Sequence, residues 1–241
     1  MNARSFLLLA FLAIFLSSCA SSRPFKPDSK KNPPVSHDLK IEALLKSDLD
    51  TVAEIHQQES FDHLRTLMEK LYRRNPREWK KSGQSSVESA VYRAFDSGQD
   101  WRFPELNGKR GVECFGLAFQ ESYQGDRVLA FTAGMATMIM ASYNNKAEFY
   151  MLDDIDPQKL YNSARNIEIA VWKLSNTRDG RGELFLLSNE NEGLNRNLSF
   201  EREFGKMIAQ QDTLARIVAE KTNRSIVRAI QSVAAAVFLP I

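Results

Sequence analysis

Apolar positions recur at helical spacing through most of the chain. Across residues 39–57, Ile41, Leu44, Leu45, Leu49, Val52 and Ile55 fall near a period of about 3.6 and predict an amphipathic helix. Ser60 stands where it would cap a second helix, with Phe61, Leu64, Leu67, Met68 and Leu71 on the inner face. Asn75-Pro76 ends that pattern, because proline disfavours helical geometry in the residue before it. Ser85 followed by Glu88 has capping-box spacing and opens a helix through Val91 and Phe95. Residues 101–111 hold Pro104, Asn107-Gly108 and Gly111 and predict a loop.

The second half continues the pattern. Residues 128–143 are the most apolar stretch beyond the first twenty positions. They fall short of the roughly 20 residues needed to cross a bilayer, so the expectation is a helix buried at the domain centre. Ala130 and Gly134 lie one turn apart, as do Ala133 and Thr137, so a neighbouring helix can approach closely. Asp156 as N-cap and Pro157 at the first helical position open a helix with Leu160, Ala164, Ile167, Val171 and Leu174 on one stripe. Ser199 is placed to cap another, carrying Phe200, Phe204, Met207, Ile208, Leu214 and Val218. A last helix is expected from about Asn223, with Ile226, Ile230, Val233 and Val237 in register. Residues 148–152 and 183–187 are short apolar-aromatic runs that predict a small two-stranded β element, and the rest of 176–199 predicts an irregular connection. The fold class expected is mainly α: a single helical domain of about six to eight helices with that small β element.

The N-terminus has a different organisation. Arg4 and the amino group precede an apolar run over residues 6–16, within the roughly 7–15 positions of a secretory signal. Leu16, Ser17 and Ser18 then lead into Cys19. This pattern resembles the lipobox of bacterial lipoproteins, and the resemblance covers the leader alone. It implies that the Cys19 thiol is thioether-linked to diacylglycerol, that cleavage falls before Cys19 and that the new amino group is open to N-acylation. Two or three acyl chains anchor stably where one does not. Ala20, rather than Asp, follows the cysteine, which by the same resemblance implies sorting to the outer membrane, periplasmic face, ahead of the inner membrane. The organisation expected is a signal peptide over 1–18, a lipidated flexible tether over 19–36 and an α-helical, periplasm-facing domain over 37–241. The tether reading rests on the Ser, Pro and Lys content of residues 20–36.

Charge narrows the function classes. The net charge is +2, and removal of residues 1–18 with Arg4 leaves +1, so no nucleic-acid partner is expected. With Cys19 given to lipid, Cys114 has no intramolecular disulfide partner; its neighbours Val112, Phe115, Leu117 and Phe119 predict a buried thiol.

Candidate chemistry is sparse. His56, Glu59 and His63 share a face only on one unbroken helix, and Ser60 as a cap would divide them; no metal site is expected. Asp153, Asp154 and Asp156 predict helix capping rather than a calcium loop. No nucleophile elbow, phosphate loop or dinucleotide fingerprint is present, so no catalytic residue is assigned and no cofactor is expected beyond the covalent lipid. The densest charge run is Arg73, Arg74, Arg77, Lys80 and Lys81 around Trp79, a candidate contact for a partner protein or anionic headgroups. Trp101, Arg102, Phe103 and Pro104 form either a contact loop or a core plug. The function expected is therefore that of a membrane-anchored envelope lipoprotein with a structural or partner-binding role. The alternatives are an envelope hydrolase using an acidic pair in a deep cleft, and a membrane-inserting module built on residues 128–143.

Overall fold

In the computed structural model, which describes residues 47–98, 100–150, 155–190, 197–228 and 237–241, the periodic stretches become helices. These are α1 (Asp48–Arg74), α2 (Glu78–Lys81), α3 (Val87–Phe95), α4 (Val112–Ala118), α5 (Arg127–Ser142), α6 (Pro157–Asn176) and α7 (Ser199–Thr222), with a 3-10 turn at Pro104–Leu106. All lie in one unit, Ile41–Ile241. The fold is mainly helical, and the described residues contain no sheet. The signal peptide and tether, with Leu16, Ser17, Ser18 and Cys19, lie outside the described residues.

Several boundaries differ from the sequence expectation. Ser60 caps nothing: it is fully buried inside α1, and its hydroxyl donates to the His56 carbonyl at 2.8 Å. A serine in mid-helix can satisfy itself this way, so the two expected helices are one of 27 residues. That helix opens at Ser47, whose side chain accepts from Asp50 N while the Asp50 carboxylate accepts from Ser47 N. The box that opens α3 is Ser86 with Ser89, one residue beyond the expected Ser85 and Glu88. Leu198, with no side-chain cap, precedes α7, and Ser199 is its first helical residue. Asn223 ends α7 in the left-handed conformation, and residues 224–228 and 237–241 are not helical. Ile230 and Val233 of the expected last helix lie outside the described residues. The two-stranded element does not form over the described residues: Leu184 makes only an isolated bridge to Arg178, residues 148–150 form no strand, and 151–152 lie outside.

The apolar stretch at 128–143 is the centre of the domain. In α5, 14 of 16 residues are buried, which leaves the helix no apolar face turned outward. No described helix is long and apolar enough to cross a membrane. Helix α5 packs on α1, α2, α4 and α6, and α7 packs on α1 and α6. The Phe131 ring meets Phe115 edge-on at 5.4 Å and also contacts Phe119 and Phe204, joining α4, α5 and α7. Each such fully buried side chain contributes about 1.5–3 kcal/mol. Gly134 makes the α4–α5 approach possible. A Cβ there would stand 3.0 Å from the Gly111 carbonyl and 3.3 Å from Cys114 Cβ.

The chain closes with a segment held by side-chain amides. Asn166, fully buried on α6, donates to the Leu239 carbonyl at 2.9 Å and accepts the Leu239 N–H at 2.7 Å. One turn earlier, Asn162 donates to the Pro240 carbonyl at 2.8 Å, and Gln158 pairs with both backbone groups of Val227. A buried amide is costly unless paired, and here each finds a backbone partner. The Phe238 ring stacks on Phe115 at 5.0 Å and 9°.

The close contact at Gly134 makes a specific demand on volume. Gly134→Val should lower stability by about 1–3 kcal/mol through overpacking, read as a lower urea midpoint, with Gly134→Ala costing less.

Candidate functional site

The basic run at the end of α1 is shaped by what lies beneath it. Asn75 ends the helix: its amide donates to the Leu71 and Leu187 carbonyls, both at 2.8 Å, and its oxygen accepts Leu187 N at 2.8 Å. This pins the 183–187 segment beside the basic turn. The short α2 follows, and its Glu78 is buried. One Glu78 oxygen accepts Arg127 N at 2.8 Å and the other the Lys81 ammonium at 2.7 Å.

Asp126 caps α5 from within the core. Its carboxylate accepts Leu129 N at 2.9 Å, the Tyr72 hydroxyl at 2.8 Å and the Ser82 hydroxyl at 3.0 Å. Burial holds the Asp126 carboxyl above its ordinary range, against these three hydrogen bonds, with nearby Glu78 adding to the rise. The Tyr72 hydroxyl is likewise pushed far up, by burial first and by Asp126 second. The Arg127 guanidinium lies among the Ala118, Gln120 and Tyr123 carbonyls at 2.8–2.9 Å and over the Phe185 ring at 4.7 Å. Burial lowers its pKa, and Glu78 acts in the opposite sense. The buried carboxylates Asp126 and Glu78 therefore spend their oxygens on the N-terminus of α5 and its neighbours. They are built as caps rather than as an acid–base pair.

The six residues singled out, five cations around Trp79, do gather at this turn, but three of the cations are neutralised internally. Arg73 pairs with Glu69 at 2.7 Å and Glu88 at 3.3 Å, Arg74 with Glu190 at 2.9 Å, and Lys81 with Glu78. Lys80 lies over the Trp79 ring at 5.2 Å, and Trp79, half-buried, packs against the core. The Arg77 side chain is exposed and has no hydrogen bond or ion pair among the described residues. Arg74, Arg77 and Arg178 line a groove of about 580 Å3 together with the carboxylates Glu78 and Glu183, and its apolar lining comes from Pro76, Leu184 and Leu187.

The remaining candidates resolve into structure. Because α1 is continuous, His56, Glu59 and His63 share one helix; His63 lies 3.8 Å from Glu59 and 3.1 Å from Glu203 of α7, joining two helices. No group of three metal-ligating side chains occurs among the described residues. Asp156 caps α6 through Gln158 N at 2.9 Å; Asp153 and Asp154 lie outside the described residues. Cys114 is buried, and burial pushes its thiol up to about 11, which keeps it protonated at neutral pH. Trp101 and Phe103 are buried as a core plug, with only Arg102 and Pro104 of that run exposed. Hydrophobic periodicity gave no sign of a second groove, of about 600 Å3, between α1, the end of α3 and residues 146–148.

The chain matches no protein-family model, no curated protein and no solved structure.

The caps at α5 set a pH-dependent expectation. A carboxyl whose folded pKa is raised binds more protons folded than unfolded. Its contribution therefore favours the fold as pH falls into the window just above its ordinary value, and is lost as pH rises through the raised value. Asp126→Ala should cost about 2–3 kcal/mol by leaving the Leu129 N–H and the two hydroxyls unpaired. The gap between the two proteins in urea denaturation should narrow as pH rises through that window.

Proposed function

We propose that this protein is a lipid-anchored bacterial envelope protein, tethered through Cys19 on the periplasmic face of the outer membrane, with a non-catalytic, partner-binding domain. The anchoring half is supported by the leader over residues 6–16 running into Leu16, Ser17, Ser18 and Cys19. The binding half is carried by one observation: the Arg77 guanidinium is exposed, has no ion pair among the described residues, and edges a groove where it, Arg74 and Arg178 stand against Glu183 and the already bonded Glu78, beside apolar Leu184 and Leu187. An arginine is well suited to carboxylates, which it grips with two parallel hydrogen bonds. A groove of that composition fits an acidic partner segment that carries one apolar side chain. Lys80, over the Trp79 ring, adds an exposed cation, whereas Arg73 and Lys81 are already paired with acids, so this surround steers an acidic partner more than it holds one.

Two measurements separate the halves. A Cys19→Ala protein should leave the membrane fraction and carry no lipid label; retention of both properties overturns the anchor. A photo-crosslinker at position 77 should give a discrete protein adduct in cells that Arg178→Glu removes. The same crosslinker at Arg216, exposed on α7 and not part of the groove lining, should not. Adducts to lipid alone would instead make the groove a headgroup site.

A further inference from the structure

The second groove is built from parts that the basic turn does not share. Its floor is aromatic. Phe61 of α1 and Phe95 of α3 both contact the Trp101 ring, at 6.3 Å and, edge-on, at 4.9 Å. Ala94, Met140 and Ala147 extend the apolar lining. Among the described residues its ionisable lining is Glu54, Asp100, Glu148 and Lys146, an acidic excess even though Asp100 lies 3.7 Å from the exposed Arg102 and Glu148 accepts the Tyr150 hydroxyl at 2.8 Å.

The walls are held in place. Gln57, buried on α1, donates to the Lys146 carbonyl at 2.8 Å, and Glu54 accepts Phe149 N at 3.0 Å. These two bonds fix the 146–149 loop against α1, so the groove exists without a ligand to shape it. Its size falls within the roughly 300–1,000 Å3 of small-molecule sites.

Backbone strain marks one wall. Six non-glycine residues among those described have positive φ, and two of them, Asp100 and Trp101, line this groove. Aspartate tolerates the left-handed region, but a tryptophan at φ 58° is an outlier. The ring contacts to Phe61, Phe95 and Phe103 keep Trp101 there. Strain of this kind gathers at ligand clamps when the surroundings over-determine it.

The chemistry favours a cation. Aromatic faces attract cations through the ring quadrupole, and rim carboxylates add to the pull. The chain already uses this affinity on the same ring set, since the Arg65 guanidinium lies over Phe95 at 5.2 Å. We infer that this groove is a binding site for a small amine: an alkylammonium whose charge meets the rim acids and whose stem lies on the Phe61–Trp101 floor. This goes beyond the partner-binding reading and stands independently of the Arg77 groove.

The test uses two isosteric probes of opposite charge, hexylammonium and hexanoate, on the full chain labelled with fluorotryptophan. The three tryptophans Trp79, Trp101 and Trp172 give one reporter in the groove and two controls outside it. Hexylammonium should shift the Trp101 resonance saturably at about millimolar concentration, with Trp79 and Trp172 unmoved. Hexanoate should bind at least about ten-fold more weakly. Asp100→Asn with Glu148→Gln should weaken hexylammonium by about five-fold or more, and asparagine keeps the backbone tolerance that position 100 needs. Equal response to both probes, no saturable shift at Trp101 in the native chain, or indifference to the double substitution would each overturn the site.

Discussion

A helix buried on all sides still has a polar end, and the domain is organised around meeting that demand. The first N–H groups of α5 have no partner within the helix, and the positive end of its dipole faces the interior. Asp126 and Glu78 supply the acceptors from inside the core. Each then recruits its own neighbours: Tyr72 from α1, Ser82 after α2, and Lys81. Arg127, forced into the same region, is accommodated by the turn after α4, whose carbonyls point at its guanidinium. Helices α1, α2 and α4 are thus positioned by the polar needs of one apolar helix as much as by its methyl groups and rings.

That arrangement explains why the basic turn looks as it does. The cations after α1 border a region that must hold buried carboxylates, and Lys81 is drawn into service there. Others pair with acids from α1, α3 and the 183–190 segment. What the described acids leave without an ion pair is Lys80 and Arg77 with the groove it edges, a much smaller feature than the raw charge run. Charge density along a sequence counts cations without counting the acids that the fold brings to meet them.

The same distinction governs what the sequence revealed. Helices α5 and α6 were legible because their signals are local: a continuous apolar run in one, an Asp-Pro opening with a clean stripe in the other. The continuity of α1 was not, because a serine hydroxyl that caps helices is chemically the same group that can donate back to the i−4 carbonyl. The described ends of the expected last helix, 224–228 and 237–241, depart from helix for a related reason. Ile226 and Val237 sit at helical spacing, but the segments around them owe their path to Gln158, Asn162 and Asn166 across the domain. No hydrophobic pattern reports an amide that is saved for a distant backbone. The aromatic groove was hidden for the same reason, since Phe61, Phe95 and Trp101 come from separate elements and meet only in the fold.

The amide row on α6 has an evolutionary consequence. Asn162 and Asn166 read the main chain of residues 239–240, and a main chain is common to every sequence. Outward positions such as Val237, 64% exposed, are therefore able to drift without loosening the seam. Phe238 is constrained by the ring it covers, and Asn166 by the need for a donor and an acceptor side by side on one short side chain. Across relatives, the receiving helix should be the slower of the two surfaces to change.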